Sequence, residues 1–147
     1  MPSVRDRDPA TLGAAEGARC LRKGTLSPVA LLDACLARVR ALDDTLQAWV
    51  HLDEAGARAA AQRAEGEARA GGVRGVLHGI PVGIKDLNHV AGMSTRAGAA
   101  PFAHSVPTTD ATAVARLRAA GAIVVDKTHT TQFAFRDPAP PRNVGGT

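Results

Sequence analysis

The chain has 147 residues, a length that suits one domain, and a net charge of +4 from 18 basic and 14 acidic residues. Its arginines are dispersed among Asp, Glu and Ala, with no basic run or aromatic platform beside them, which argues against a nucleic-acid-binding protein. The sequence shows neither an apolar run of about 18 residues nor a signal-peptide core, so no membrane span is expected and the cytoplasm is the default location.

Three helices are predicted in the first half. Asp8-Pro9 has the pattern of an N-cap followed by the first helical residue, and the helix it opens is expected to end near Gly24. Ser27-Pro28 repeats this pattern before an apolar stripe at helical spacing, formed by Leu32, Cys35, Leu36, Val39 and Leu42. Residues 49–52 predict a short strand or extended link. Asp53 then starts a third helix that reaches about Ala70, and Gly71-Gly72 and Gly75 mark the connection that follows.

The second half predicts a strand, a helix and a second strand. Residues 80–85 form the first strand, and an irregular segment follows from about Leu87 to Thr109. Thr109-Asp110 is expected to cap a helix that runs to Ala120 and stops at Gly121, with Val114, Leu117 and Arg118 forming its edge toward a sheet. The second strand covers residues 122–126, and this order indicates a right-handed parallel crossover. Residues 130–135 predict a short helix and residues 138–141 a loop.

The cysteines and histidines do not form a metal-binding pattern. Cys20 and Cys35 lie in helical patterns fifteen residues apart, which favours buried reduced thiols over a disulfide. No HxxxH, HExxH or CxxC spacing is present, so no metal is expected. All five histidines are interpreted as loop or surface residues: His51, His78, His89, His104 and His129.

Lys85 is the leading catalytic candidate. It ends an alternating run, in which Ile80, Val82 and Ile84 share one face and Lys85 lies on the other. Burial would favour the neutral amine, and a neutral lysine can accept the proton of a serine nucleophile, whereas an arginine stays protonated. The competing interpretation is an edge-strand lysine that points to water and prevents aggregation.

Several segments in one order resemble the amidase signature hydrolases. They are LHGIPVGIKD at 77–86, VAGMST at 90–95, DATAVARLRAAGA at 110–122 and FAF at 133–135, and the N-terminal helices also look like the helical arm of this family. The resemblance implies an α/β fold, in which a helical arm (residues 1–72) leads into the start of a mixed-sheet α/β/α core (residues 73–147) of one amidase domain.

The resemblance also implies a reaction. Amidase signature enzymes hydrolyse the C–N bond of carboxylic amides with a Ser–cisSer–Lys relay and no cofactor, and Lys85 matches the lysine. In that family the stretch corresponding to residues 144–147 leads into a Gly/Ser-rich loop that supplies the cis-serine, and a later segment supplies the nucleophile. The sequence is therefore expected to be the N-terminal portion of an amidase for linear amides, inactive alone.

Asp86 and Lys127 could also contribute to the site. Asp86 could orient the amine, but adjacent strand residues point to opposite faces, so a structural role is favoured. Lys127 matches a lysine that follows a strand in the family, and it is assigned to structure or to ordering the loops of the site.

Other functions remain open at this point. Within the same class, the chain could belong to the amidase subunit of a tRNA-dependent amidotransferase, although residues 133–140 look more like stand-alone amidases. In another class, it could be a non-catalytic remnant or an interaction module. The expected partner is a small-molecule amide, and a homo-oligomer is left open.

Overall fold

Three helices precede the first strand, as the sequence predicts. The computed structural model describes residues 7–135. The helices are α1 (Ala14–Arg22), α2 (Pro28–Leu46), α3 (Glu54–Arg69) and α4 (Thr112–Ala119), and the strands are β1 (Pro81–Lys85) and β2 (Ile123–Thr128). Short 3-10 turns cover Pro9–Thr11, Ala100–Phe102 and Gln132–Ala134. Within residues 7–135, no helix is long and apolar enough to cross a bilayer.

Side-chain caps explain where two of the helices begin. The Ser27 hydroxyl accepts a hydrogen bond from the Ala30 amide at 3.0 Å, and the Asp53 carboxylate accepts one from the Gly56 amide at 2.9 Å. Each bond satisfies an amide in the first turn that has no partner inside the helix. The predicted starts of α2 and α3 are therefore confirmed.

The first predicted helix is in fact two elements. Asp8 accepts a hydrogen bond from the Ala10 amide at 3.0 Å, but the turn that it caps ends at Thr11. Leu12 is extended, with φ −71° and ψ 138°, and Gly13 is extended as well. This extended dipeptide breaks the helix, so the continuous helix from Pro9 was a wrong prediction and α1 starts at Ala14.

The predicted cap of α4 is also wrong. The helix begins after Ala111 without a side-chain cap. Asp110 instead accepts a hydrogen bond from the Ala91 amide at 2.8 Å and pairs with Arg118 at 3.0 Å. The sequence predicts the Asp110 carboxylate as a helix cap. In the structure, the Ala91 amide and the Arg118 guanidinium bind this carboxylate instead. Asp110 thereby ties the irregular segment to α4.

The two strands are parallel, which confirms the predicted crossover topology. Their register pairs Pro81 with Ile123 and Lys85 with Thr128, with a shift between Val82 and Gly83. On one face, β2 packs against α2 and α3 through Ile123, Val125, Leu32, Leu36 and the small side chains of Ala57, Ala61 and Ala64. The other face is covered by α4 and the irregular segment, through Ile84, Val124, Val114 and Val90. The described residues thus have an α/β arrangement with helices on both faces of a small sheet.

The link between α2 and α3 lies along the free edge of β2. Trp49 forms an antiparallel bridge with Thr128, and the Val50 amide donates to the Lys127 carbonyl at 3.0 Å. Gly83 permits this packing, because a Cβ at that position would lie 3.0 Å from the Trp49 ring and 2.7 Å from the Thr128 methyl group. The predicted extended link is confirmed.

The remaining predictions have mixed outcomes. Residues 87–109 are largely irregular, as expected. The helix predicted over 130–135 is only a 3-10 turn, because Phe133 has a left-handed backbone with φ 49°. Both cysteines are free, Cys20 is buried and Cys35 is half-buried; burial and the charge of Asp8 raise the pKa of the Cys35 thiol. The loop at 138–141 lies outside the described residues.

Substitution by alanine should change the free energy of unfolding in opposite directions at Gly121 and Gly66. Gly121 has φ +90°, and an added Cβ would lie 2.7 Å from the His78 Cα, so Gly121→Ala should cost about 2 kcal/mol or more of unfolding free energy. Gly66 lies inside α3 with open space around it, so Gly66→Ala should add about 1 kcal/mol. Urea unfolding of both variants checks this, and equal effects would contradict it.

Candidate active site

Lys85 is the last residue of β1 and lies on the exposed face of the strand. Ile80 and Ile84 are buried at 6% and 5% exposure, whereas Gly83 and Lys85 are exposed. The predicted alternation is therefore confirmed. The expected burial of the Lys85 amine was wrong within residues 7–135, where Lys85 is exposed.

The backbone at Lys85 is firmly held. Its carbonyl accepts hydrogen bonds from the Leu87 amide at 2.7 Å and the Asn88 amide at 3.0 Å. The next amide, of Asp86, donates to the Thr128 carbonyl at 2.9 Å. Sheet pairing and a tight turn thus fix the Cα position of Lys85 while its side chain stays accessible.

The buried lysine of this structure is Lys127, on β2. Its ammonium lies 3.1 Å from the Asp86 carboxylate and donates to the Asn88 carbonyl at 2.8 Å and the Thr95 hydroxyl at 2.9 Å. Burial lowers the pKa of Lys127, and the hydrogen bond and charge of Asp86, together with the charge of Asp126, oppose that decrease. The carboxylate and the neutral oxygens thus offset part of the desolvation, while the net effect on the pKa of Lys127 is a decrease.

Asp86 completes this buried pair. It is fully buried, and its carboxylate accepts a hydrogen bond from the Arg96 amide at 3.2 Å as well as the contact from Lys127. Lys85 and Asp86 therefore lie on opposite sides, as strand geometry requires. The pair joins the end of β1 to β2 and to the segment from Asn88 to Arg96, which supports the structural roles expected for Asp86 and Lys127.

A second buried carboxylate lies next to Lys127. The side chain of Asp126 is 1% exposed, and its two oxygens accept hydrogen bonds from His51 Nδ1 at 2.5 Å and from the Lys127 amide at 2.7 Å. His51 itself is two-thirds exposed. Sequence reasoning missed this pair because the two residues are 75 positions apart and only the extended link brings them together.

His78 lies in a turn, as the loop interpretation expected, but it is buried rather than at the surface. His78 is 5% exposed, its Nε2 lies 2.9 Å from the Ala64 carbonyl, and its Nδ1 accepts a hydrogen bond from the Arg74 amide at 3.2 Å. The ring therefore connects α3 to the entry of β1. Within residues 7–135, no three His, Cys, Asp or Glu side chains are grouped so that they could hold a metal.

A cavity of about 290 Å³ opens beside the buried pairs. Its lining combines the extended link, the irregular segment and β2, and consists of Val50, His51, Asp53, Gly92, Met93, Ser94, Arg96, Asp126 and Lys127. Lys85 does not contribute to this lining. The described residues thus place the exposed lysine and the polar cavity at separate positions.

Comparison with known sequences identifies the family. A sequence model of the amidase family matches residues 30–145. A glutamyl-tRNA(Gln) amidotransferase subunit from Roseiflexus sp. (strain RS-1) is 43% identical over 115 residues, covering 78% of this chain and 23% of that protein. An amidase of Pseudomonas putida is 40% identical over 138 residues, covering 90% of this chain and 29% of its own length.

Solved structures agree with the sequence relatives. A crystal structure of an amidase superposes with a TM-score of 0.81 at 40% identity, over 90% of this chain and 30% of that one. The peptide amidase from Stenotrophomonas maltophilia superposes with a TM-score of 0.77 at 36% identity, over 84% of this chain and 26% of that one. The chain spans about a quarter of the length of these relatives. The fold predicted from the resemblance is confirmed, and the chain belongs to the amidase signature family.

Proposed function

We propose that this chain is the lysine-bearing portion of an amidase that hydrolyses the C–N bond of small linear amides. Lys85 is the general base in this proposal. The observation that carries it is the position of Lys85, which ends β1 on a turn fixed by the Lys127–Asp86 pair while its amine stays accessible. An accessible amine on a rigid backbone suits a base that must reach a second group.

The proposed mechanism is a relay of protons. In the full enzyme the docked serine loop would bury the Lys85 amine, and the neutral amine accepts a proton from a cis-serine. That serine accepts a proton from a nucleophilic serine as the nucleophile attacks the amide carbonyl. The relay then returns a proton to the leaving nitrogen, so ammonia or an amine departs and an acyl-enzyme remains. Water hydrolyses the ester by the same route. The Gly/Ser-rich loop and the later serine segment supply these two serines in this proposal, so residues 1–147 alone are expected to be inactive.

The segment 88–96 has a supporting role in this proposal. Lys127 and Asp86 hold it through the Asn88 carbonyl, the Thr95 hydroxyl and the Arg96 amide. A serine loop docking beside Lys85 would meet a backbone that cannot shift easily. We therefore assign Lys127 and Asp86 as positioning residues rather than proton carriers.

A second candidate is the amidase subunit of a tRNA-dependent amidotransferase. The 43% identity to the Roseiflexus protein favours it. The amidase of Pseudomonas putida is 40% identical over a longer stretch. We keep the stand-alone amidase as the preferred interpretation, as residues 133–140 indicate, although 136–140 lie outside the described residues. Isolation of a stable amidotransferase complex containing this chain would reverse that preference.

The third candidate is a non-catalytic module. Several large apolar side chains are exposed in the described residues, among them Phe102, Phe133 and Phe135, at 44% to 70% exposure. Such surface is expected of a portion that packs against more chain or against a partner. A sharp two-state melt of monomeric protein would count against a module that depends on association.

A grafted enzyme tests the proposed function. Residues 1–147 would replace the matching segment of the Pseudomonas putida amidase, with which they share 40% identity. We expect the graft to hydrolyse a substrate of that amidase, measured as ammonia release, and the 147-residue chain alone to release none. The parent amidase without its matching segment is the control. A graft that folds, by circular dichroism and a cooperative melt, yet has no activity would contradict the proposal.

A further inference from the structure

A groove with an apolar floor lies at the start of α2. It has a volume of about 330 Å³ and is formed where the turn between α1 and α2 meets the end of α3. The apolar side chains that line it are Leu21, Leu26, Pro28, Ala68 and Val73. Val73 is 45% exposed, so the groove opens to the surface beside an apolar side chain that water still contacts.

The charge of this groove is positive. Two arginines and one glutamate line it, which leaves one net positive charge. Glu65 pairs with Arg69 at 3.1 Å, whereas Arg22 forms no ion pair within residues 7–135. The groove therefore suits an apolar group that has a carboxylate next to it, and it disfavours a cation.

The other end of α2 presents apolar side chains to solvent. Leu42 and Leu46 are one helical turn apart, so they are neighbours on the helix surface. They are 41% and 65% exposed, although the apolar stripe of the sequence predicts Leu42 toward the interior. We call residues 42–46 the α2 terminus. Its two leucines lie at an end of the helix that the described residues leave largely uncovered.

The charge of the α2 terminus is negative. Asp43 and Asp44 lie in the last turn of the helix, which contains no basic side chain, and Asp44 is exposed. Arg40, one turn earlier, is bound by Glu54 at 2.7 Å. Carboxylates at the end of a helix also meet the negative end of its dipole. A cation supplied from outside α2 would therefore stabilise this end.

We propose that the groove binds the α2 terminus of a second copy of this chain. Leu46 of one copy contacts the apolar floor of the other, and Asp44 pairs with Arg22 across the contact. One copy cannot fill its own groove, because the two patches lie at opposite ends of a 19-residue helix that is about 28 Å long. Both halves of the contact are present on this chain, which favours a second copy over another partner. Lys85 belongs to neither patch, so the contact goes beyond the proposed function.

Sedimentation velocity of the 147-residue chain tests this contact. In low salt we expect the weight-average sedimentation coefficient to rise with protein concentration. Raising the salt concentration to about 0.5 M should weaken association several-fold, because salt screens the pairing of exposed charges. A chain that stays monomeric up to its solubility limit would overturn the proposal, and so would association that is insensitive to salt.

Matched variants connect association to the two patches. Leu46→Ser removes the apolar anchor and Arg22→Glu reverses the charge of the groove, so each should weaken association about tenfold or more. Phe135→Ser and Arg63→Glu change exposed positions outside both patches and should leave association unchanged. Association lost in Phe135→Ser but kept in Leu46→Ser would move the contact to the aromatic surface and refute the proposal. Should Arg22→Glu lose its helical circular dichroism, Leu46→Ser decides the question.

Mixing two variants tests whether unlike patches meet. Arg22→Glu disrupts the groove and keeps the α2 terminus, whereas Leu46→Ser disrupts the α2 terminus and keeps the groove. At a concentration where wild type associates, each variant alone should be largely monomeric. An equimolar mixture should form a complex of one copy of each, because one intact terminus and one intact groove remain. A mixture that stays monomeric under these conditions would contradict the pairing of the groove with the α2 terminus.

Discussion

Lys85→Ala is expected to abolish amide hydrolysis by the grafted amidase, with a loss of kcat/KM of at least about 10²- to 10⁴-fold, the range for a general base. The fold should be unaffected, because the Lys85 side chain is exposed and the backbone bonds around it do not involve the side chain. Ammonia release gives the rate, and thermal unfolding gives the stability.

Two further substitutions make this test specific. Lys23→Ala removes the exposed lysine at the end of α1 and should change neither rate nor stability. Lys85→Arg keeps a long cation but cannot supply a neutral base, so it should be about as inactive as Lys85→Ala. An active Lys85→Arg variant would show that charge at this position, rather than proton transfer, supports turnover.

Lys127→Met is expected to produce the largest loss of stability. It leaves the Asp86 carboxylate buried without its ammonium partner, and breaking a buried pair in this way costs about 3–5 kcal/mol. This is a large share of the stability of a domain of this size, about 5–15 kcal/mol. Urea unfolding of the 147-residue chain measures the loss, and Lys23→Met, at an exposed site, is the control.

A double variant isolates the interaction between the two charges. Asp86→Asn keeps an oxygen for the Arg96 amide but strands the Lys127 ammonium, so it should also be destabilising. Asp86→Asn combined with Lys127→Met removes both charges and should lose less than the sum of the single losses. Additive losses would mean that the pair is not coupled, and would contradict the positioning role.

The same pair predicts a pH dependence. Burial lowers the pKa of Lys127 below its ordinary value of 10.5, so in the alkaline window below 10.5 the unfolded chain binds more protons than the folded chain. This group therefore makes stability rise with pH in that window. The raised pKa of Cys35 acts in the opposite direction from 9.0 upward. Both wild type and Lys127→Met contain Cys35, so the difference between their free energies of unfolding isolates the contribution of Lys127. That difference should grow as pH rises.

Local sequence determined the elements whose signals are themselves local. The starts of α2 and α3 follow from Ser27 and Asp53, whose side chains bond to amides three residues away. The two strands and their parallel crossover follow from an apolar alternation, a helix and a second apolar run. Lys85 stood out because a charged residue ended an otherwise apolar pattern, and its exposed face agrees with that alternation.

Only the tertiary structure decided which lysine is buried and which polar groups meet. Asp86 and Lys127 are 41 positions apart in the numbering, and His51 and Asp126 are 75 apart, so no local pattern encodes either pair. The extended link and the parallel register bring them together, and burial then makes each pair necessary, because a carboxylate removed from water requires a donor. The chain order of elements was thus set by local hydrogen bonding and periodicity, whereas the polar interior was set by packing between distant segments.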